Sequence, residues 1–222
     1  MCIRDSSTIT DTVERHIRGV TQLQVNPLAG LTFESGLRSL LRQDPDIIMV
    51  GETRDAETAA ISVRSAITGH LVLSTLHTND AVSSIVRLED MGVEPYLVAN
   101  SLVGLVAQRL VRKICPYCKT AYAPDAEEIA LFDGAPPAKL YKGAGCPACN
   151  NTGYRGRIAV HEVVTVDKTV RRMISTKSPI EDIYAYVREK QEFTSLVEEA
   201  RGLVLEGITT TEELLKLTYY VD

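Results

Sequence analysis

Short apolar runs alternate with amphipathic segments along the first part of the chain. Apolar runs at Val20–Val25, Ile47–Val50 and Leu71–Ser74 predict strands, and the last two are unbroken, as is typical of strands buried on both faces of a sheet. Apolar residues at helical spacing predict helices over Phe33–Arg42 and Asp55–Ile67. This alternation indicates an α/β fold with a mostly parallel sheet.

Further elements continue to the C-terminus, and local signals such as a helix-starting proline or a capping hydroxyl indicate them. The predicted elements are a helix from a Thr78 cap through Leu88, a helix over Pro95–Leu110, a strand over Ile158–Val164, a helix with Pro179 in its first turn, and a last helix with a Thr209–Glu212 capping box. The pattern divides the chain into an α/β segment (7–113), a segment rich in Pro, Gly and Ala (114–156) and a mainly helical segment (157–222).

Composition and charge narrow the function classes. The 222 residues are 45% hydrophobic and 24% charged, as in ordinary globular proteins, and the net charge of −5 argues against non-specific nucleic-acid binding. With no Trp and only 3 Phe, a zinc-ribbon nucleic-acid binder is also disfavoured. No apolar run reaches the roughly 18–20 residues of a membrane span, and no signal peptide is recognisable. We therefore expect a cytoplasmic protein that reaches a membrane only through partners.

The opening residues Met1–Ser6 lead directly into sequence typical of a domain interior. We expect that the chain starts inside a larger protein or that these residues are not native. Cys2, within this stretch, stands alone and has no predicted role.

Four cysteines form two C-x-x-C pairs, Cys115 with Cys118 and Cys146 with Cys149. Two such pairs can present four thiolates tetrahedrally, which is the preferred geometry of structural zinc. Disulfides are disfavoured in a cytoplasmic chain, and a thioredoxin-like redox motif would explain one pair but not two. The spacing predicts a structural zinc site with a closed coordination shell.

An acidic residue, Glu52, follows the apolar strand Ile47–Val50. Ligands of open α/β sheets lie beyond the carboxyl ends of strands, and a carboxylate there can hold Mg²⁺ or orient water. An acid at this position can equally cap the next helix, and Arg54 nearby can pair with it.

Two histidines, His70 and His77, flank the predicted strand Leu71–Ser74. If this strand is adjacent to Ile47–Val50, then Ser74, Thr75 and His77 lie near Glu52. A histidine at a strand end is often only a structural hydrogen-bonding group. The pair beside an acid keeps a polar functional site open as the second interpretation.

These residues belong to an ordered set of motifs that covers nearly the whole chain and closely resembles the ATPases of type II secretion and type IV pilus assembly. The matching stretches are Gln22–Asn26, Gly30–Phe33, Leu37–Asp46, Ile47–Arg54, Gly69–Asn79, the four cysteines, Gly153–Arg157 and His161–Glu162.

The resemblance implies a RecA-like P-loop ATPase core in residues 7–113, a tetracysteine zinc subdomain in 114–156 and a helical C-terminal subdomain in 157–222. It makes Asp46–Glu52 the Walker B strand and Gly69–Asn79 the histidine box. The implied catalytic residues are Glu52, Asp11, Glu14, His70 and His77, the implied cofactor-binding residues are Glu52, Thr75 and Arg54, and the implied zinc ligands are Cys115, Cys118, Cys146 and Cys149.

The implied cofactors are ATP, Mg²⁺ and a structural Zn²⁺. The implied assembly is a homo-hexamer that works with an inner-membrane platform and a cytoplasmic adaptor protein, peripheral to the inner membrane and without nucleic acid. The tetracysteine motif is typical of secretion and pilus-extension members, and retraction motors resemble the chain less well.

Two features depart from the family pattern. No G-x-x-x-x-G-K-[ST] loop occurs, so we expect the phosphate-binding loop upstream of residue 1. In the segment that resembles the aspartate box, Thr10 and Thr12 replace Glu and Pro, whereas Asp11 and Glu14 match. Because threonine cannot accept a proton at neutral pH, either catalysis is weakened or the first residues are not native, and the unusual opening favours the second. The alternative function is an inactive, truncated zinc-binding scaffold.

Overall fold

The computed structural model describes residues 5–132 and 137–218. Residues 1–4, which include Cys2, lie outside the described part. The strands are β1 (Ser6–Thr10), β2 (Val20–Gln24), β3 (Ile47–Val50), β4 (Leu71–Ser74), β5 (Gly104–Ile114), β6 (Lys119–Tyr122), β7 (Leu140–Gly143) and β8 (Tyr154–Thr165). The helices are α1 (Phe33–Leu41), α2 (Ala56–Ile67), α3 (Ser83–Asp90), α4 (Pro95–Ser101), α5 (Ala126–Ile129), α6 (Lys168–Ser175), α7 (Ile180–Lys190), α8 (Leu196–Leu205) and α9 (Thr211–Thr218).

A parallel sheet forms the centre of the N-terminal part. Within the described residues its order is β2-β1-β3-β4, and each neighbouring pair is parallel. This confirms the predicted α/β architecture and the adjacency of the strands Ile47–Val50 and Leu71–Ser74. The remaining strands pair as β5 with β8 and, antiparallel, β6 with β7.

Strand β1 was not predicted, although it occupies an interior position of the sheet. Its residues are polar apart from Ile9, which is fully buried. Ser7 and Thr8 are also buried, and hydroxyl side chains of this kind do not produce an apolar run. The strand is therefore specified by its two neighbours rather than by its own hydrophobicity.

One face of the parallel sheet packs against α1 and α2. The core there consists of Ile9, Ile48 and Val50 from the strands, Leu37 and Leu40 from α1, and Ile61 from α2. Asp55 begins α2 by accepting the Thr58 N–H at 2.8 Å, and Thr32 caps α1 in the same way through Ser35.

The other face carries apolar side chains that are partly exposed. Met49 is 39% exposed, Leu71 43% and Leu73 49%. The prediction that Ile47–Val50 and Leu71–Ser74 are buried on both faces is therefore wrong for both strands. The reason is that alternate residues of β3 and β4 point away from α1 and α2, and only one face of the sheet receives those helices.

The predicted helix Pro95–Leu110 is also wrong beyond its first two turns. Helix α4 ends at Ser101, Leu102 takes an extended backbone conformation, and β5 begins at Gly104. In β5, Leu105 and Ala107 are buried while Val106 between them is exposed. This period of two identifies a strand with one face on the core.

Two capping predictions are corrected by the structure. Helix α3 begins at Ser83 without a side-chain cap, and the Thr78 hydroxyl instead bonds the Ser84 hydroxyl at 3.1 Å. At α9 the cap lies one residue later than predicted, since the Glu213 N–H donates to the Thr210 hydroxyl at 3.4 Å. Thr209 donates to the Arg112 carbonyl, at 2.8 Å.

The chain divides into two compact units. The first comprises the chain up to Thr78, Val82–Leu105 and Thr165–Glu189, and the second comprises Asn79–Ala81, Val106–Val164 and the chain from Lys190 onwards. The first unit thus takes residues from the first and third predicted segments, and the division at 113 and 156 stays a prediction. None of the described helices combines the length and the apolar character that crossing a bilayer requires.

Candidate nucleotide site and tetracysteine cluster

The carboxyl ends of β1, β3 and β4 meet at one edge of the parallel sheet. The register pairs Ile9 with Val50 and Val50 with Ser74, so the residues that follow these strands emerge side by side. Asp11 follows β1 and Glu52 follows β3. This edge is where an open α/β sheet binds its ligands.

Four charged or titratable side chains gather at this edge. Arg54 Nη2 lies 2.5 Å from Glu52 Oε1 and 3.4 Å from Asp11 Oδ2, and His77 Nε2 lies 3.3 Å from Glu52 Oε2. The Glu52 side chain is only 13% exposed, whereas that of His77 is 79% exposed. Glu52 is thus the centre of the cluster, and the predicted ion pair with Arg54 is present.

The two carboxyl groups of the cluster differ in proton affinity. The hydrogen bond with Asp11 lowers the pKa of Glu52, and Arg54 and His77 lower it further, while burial opposes them. The same hydrogen bond with Glu52, together with burial, raises the pKa of Asp11. Glu52 therefore loses its proton more readily than Asp11, and the ionised carboxylate is the form that binds a divalent cation.

The capping interpretation of Glu52 does not hold in this structure. Asp55 is the residue whose carboxylate caps α2. The Glu52 carboxylate contacts Arg54 and His77 instead.

Hydroxyl groups join the loops that carry Glu52 and His77. The Thr75 hydroxyl donates to the Gly51 carbonyl at 2.7 Å, and the Thr53 N–H donates to the Thr75 carbonyl at 3.0 Å. The Thr53 and Ser74 hydroxyls are 2.8 Å apart. Thr75 thus holds the backbone beside Glu52, and its contact with a cofactor stays a prediction.

Sequence reasoning missed Thr53, which is 4% exposed. The signal available was a hydroxyl residue directly after the acid at the strand end. Its partner lies 21 residues away in the chain, which no local pattern shows.

The structure does not bring every predicted residue to this edge. His70 lies at the opposite end of β4, where its Nδ1 is 3.0 Å from the Ser65 carbonyl oxygen. Because a strand rises about 3.3 Å per residue, the four residues of β4 separate His70 widely from Glu52. Glu14 is exposed in the loop between β1 and β2, and the contacts of the described cluster do not include it. Roles for both residues stay predictions.

The four predicted cysteines converge in one cluster. Their Sγ atoms all lie within 4.8 Å of one another. Individual pairs are 3.9 Å (Cys115 and Cys146), 3.9 Å (Cys118 and Cys149) and 3.7 Å (Cys146 and Cys149) apart. These separations far exceed the roughly 2.05 Å of a disulfide. They match the roughly 3.8 Å between ligands of a tetrahedral site with Zn–S bonds of about 2.3 Å.

Backbone amides supply hydrogen bonds to one sulfur of the cluster. The N–H groups of Cys146 and Gly153 each donate to Cys149 Sγ at 3.3 Å. Burial raises the pKa of the Cys149 thiol, but these N–H groups outweigh it and lower the pKa to about 6. Burial raises the pKa of Cys118 to about 12. The cluster therefore favours thiolate character first at Cys149, and a bound cation would favour it at all four sulfurs.

Comparison with known proteins agrees with this geometry. The chain is 46% identical over 217 residues to type II secretion system ATPase E of Vibrio cholerae serotype O1, which covers 97% of this chain and 43% of that protein. It is 48% identical over 222 residues to the type IV pilus assembly ATPase PilB of Thermus thermophilus. This match covers 97% of this chain and 24% of PilB. The chain thus spans less than half the length of these curated relatives.

Solved structures show the same fold. The pilus retraction motor PilT with bound ADP superposes with a TM-score of 0.69 at 25% identity, over 96% of this chain and 52% of PilT. The ATPase DotB of Legionella pneumophila gives 0.68 at 20% identity, over 99% and 53%. These likenesses confirm the predicted RecA-like fold. The family profile described as "Type II/IV secretion system protein" matches residues 3–216, and the chain belongs to that family.

Proposed function

We propose that the chain is the magnesium-site and zinc-bearing part of an ATP-hydrolysing motor subunit that serves type II secretion or type IV pilus assembly. The observation that carries this proposal is the arrangement of Asp11, Glu52, Arg54 and His77 at the carboxyl edge of the parallel sheet. Relatives of the same family are named as ATPases of these two systems.

The residues of this edge suit a magnesium nucleotide. The ionised Glu52 would hold Mg²⁺ directly or through water, and Mg²⁺ would neutralise charge that develops on the phosphates. Arg54 pairs with both Glu52 and Asp11 and so orients the two carboxyl groups. His77 contacts Glu52 while remaining largely exposed, so it can respond to an occupant of the edge.

The phosphate-binding loop would come from the portion of the relatives that this chain does not cover, because no such loop occurs in its 222 residues. Strand β4, at the end of the described sheet, has exposed Leu71 and Leu73 that further elements of a longer protein would cover.

The tetracysteine cluster is proposed to hold one structural Zn²⁺. The fit lies in the spacing of the sulfurs and in the amide hydrogen bonds to Cys149. Four thiolate ligands would leave no open coordination position, so zinc would stabilise the fold rather than act in hydrolysis.

The assembly proposed for the complete protein is a homo-hexamer in the cytoplasm, attached to the inner membrane through a platform protein and an adaptor. The family supports a role within a secretion or pilus machine. Alternating subunit contacts of a ring would let the state of one nucleotide edge affect the next.

An inactive zinc-binding scaffold is the second candidate, and Thr10 favours it. Thr10 stands where the family has a glutamate, and its hydroxyl is buried with no hydrogen-bond partner among the described residues. A threonine cannot accept a proton from water at neutral pH.

Two measurements test these candidates. In the complete protein, Glu52→Gln is expected to lower the ATP turnover rate by at least about 100-fold while Mg–ATP binding persists, because only the charge of the metal-site carboxylate is lost. Glu57→Gln, at an exposed position of α2, is the matched control and should turn over normally. Unchanged turnover in Glu52→Gln would refute the role of Glu52.

Calorimetry on the 222-residue chain tests the scaffold candidate. Phosphate-loop contacts supply much of the nucleotide affinity in this fold, so weak or no Mg–ATP binding is expected. Tight binding would rule out the scaffold.

A further inference from the structure

Glu162 is a buried carboxyl group that the proposed nucleotide chemistry does not use. It is 2% exposed and shares the inward face of β8 with Val160 and Val164, which are fully buried. Placing a carboxyl group among buried valines is costly unless polar partners compensate. The carboxyl group therefore needs at least one polar partner.

One partner is the backbone of a distant segment. The Ala81 N–H donates to Glu162 Oε1 at 2.9 Å, across 81 residues of sequence. Ala81 is 1% exposed, so this hydrogen bond is shielded from water. A shielded hydrogen bond to a carboxyl group contributes more than an exposed one.

A second charged side chain holds the same segment. Arg109 of β5 donates through Nη2 to the Asn79 carbonyl at 3.3 Å. Strands β5 and β8 pair with each other. Strand β8 thus holds the Ala81 N–H through Glu162, and β5 holds the Asn79 C=O through Arg109.

The segment Asn79–Ala81 is assigned to a different compact unit from the residues on either side of it. Asn79–Ala81 belong to the second compact unit, whereas Thr78 before them and Val82 after them belong to the first. His77, the contact of Glu52, precedes Asn79 by two residues. Because consecutive Cα atoms are about 3.8 Å apart, His77 cannot move far while Asn79 and Ala81 are held.

We propose that Glu162, assisted by Arg109, is a positioning residue that sets the location of His77 by holding Asn79–Ala81. The inference rests on the proposed function, in which His77 reports on the nucleotide edge.

The test is nuclear magnetic resonance on the isotope-labelled 222-residue chain without nucleotide. In Glu162→Ala, the Ala81 amide should exchange with solvent about tenfold faster or more, because it loses a hydrogen bond to a carboxyl group. The His77 imidazole and amide signals should shift in the same variant. Glu162→Gln keeps an acceptor oxygen and should restore both, and Arg109→Ala should also shift the His77 signals.

Glu199→Ala is the matched control. Glu199 likewise accepts a backbone N–H from β8, that of His161, but does not hold Asn79–Ala81. It should affect the His161 amide and leave Ala81 and His77 unchanged. The proposal is overturned if His77 keeps its signals in Glu162→Ala, or if Glu199→Ala shifts them equally.

If Glu162→Ala does not fold, Arg109→Ala decides: unchanged His77 signals in this variant would then overturn the proposal. Since no nucleotide is present, failure here leaves the ATPase proposal standing. Failure of the ATPase proposal would appear instead in the turnover of Glu52→Gln.

Discussion

Gly143 and Gly153 show how closely backbone can approach backbone beside the cysteines. A Cβ on Gly143 would overlap the carbonyl oxygen of Gly153. A Cβ on Gly153 would lie 2.7 Å from the carbonyl oxygen of Gly143. Gly153 also donates its N–H to Cys149 Sγ and has φ of +77°, which favours glycine. The lack of side chains here lets the strand that precedes Cys146 contact the turn that follows Cys149.

Gly143→Ala is predicted to push apart the two backbone segments that meet at Gly143 and Gly153. Because the obstruction is backbone, the segments must move, and the free energy of unfolding should fall by about 1–3 kcal/mol. Zinc transfer to a chromogenic chelator should become faster. Both are measured by chemical denaturation and by following the zinc–chelator complex.

Gly202→Ala is the control for Gly143→Ala. Gly202 lies inside α8 with nothing within 4 Å of its added Cβ. Alanine there should raise stability by up to about 1 kcal/mol through its helix propensity and leave zinc transfer unchanged. Equal zinc transfer in the two variants would contradict the role given to Gly143.

At the scale of elements, α9 is fixed to β5 by a buried carboxylate. Glu213 is 5% exposed, accepts the Arg112 N–H at 2.7 Å and Arg112 Nε at 2.9 Å, and pairs with Lys216 at 2.8 Å. Arg112 also stacks over the Tyr154 ring at 3.8 Å. A buried carboxylate is stable only when it is paired in this way.

These contacts give stability a defined pH dependence. Burial raises the pKa of Glu213, but hydrogen bonds from Arg112 and Lys216 outweigh it and lower the pKa below the usual 4.5. The ionised group therefore stabilises the folded chain fully above pH 4.5, and this contribution is lost as the pH falls through the lower folded value.

We predict that the thermal unfolding midpoint falls as the pH decreases from about 5 to about 3, and that Glu213→Gln makes this fall shallower because the titrating group is gone. Glu206→Gln, at an exposed position, should keep the original slope. An identical slope in Glu213→Gln would show that other groups govern acid sensitivity. Calorimetric scans at several pH values measure this.

Elements with a strong apolar signal were predictable from sequence, and elements specified by their neighbours were not. Ile47–Val50 and Leu71–Ser74 were predicted with the bounds that the structure has. The polar strand Ser6–Thr10 gave no such signal, and β5 follows a short helix so closely that one continuous helix was predicted.

The same distinction applies to the sites. Glu52 and the four cysteines stand in local motifs, and the structure brings them where the patterns indicated. Thr53 and Glu162 act through partners 21 and 81 residues away, and such pairs appear only once the chain is folded.

For the whole molecule, the zinc cluster lies entirely within the second unit. That unit contains Val106–Val164, which includes all four cysteines, whereas β1–β4 and the Glu52 cluster belong to the first. Metal binding at a cluster of this kind is coupled to local folding, because the unfolded chain does not hold the four thiolates together. The two proposed sites should therefore differ in their response to metal removal.

Removal of zinc is predicted to destabilise the second unit selectively. Replacing both Cys115 and Cys118 by Ser should reduce bound zinc from about one per chain to near zero, since two thiolates cannot complete a tetrahedral shell. Amide exchange should then accelerate around Val160 in β8, while the amide of Ile9 in β1 stays protected.

The control for this double variant is Cys2→Ser, which leaves Cys115, Cys118, Cys146 and Cys149 unchanged and should retain zinc and stability. Metal analysis of protein purified without chelator and site-resolved amide exchange provide the measurements. Absence of zinc in the unmodified protein would refute the metal assignment. Equal loss of protection at Ile9 and Val160 would instead show that zinc stabilises the chain as one cooperative structure, because local unfolding confined to the second unit leaves β1 protected.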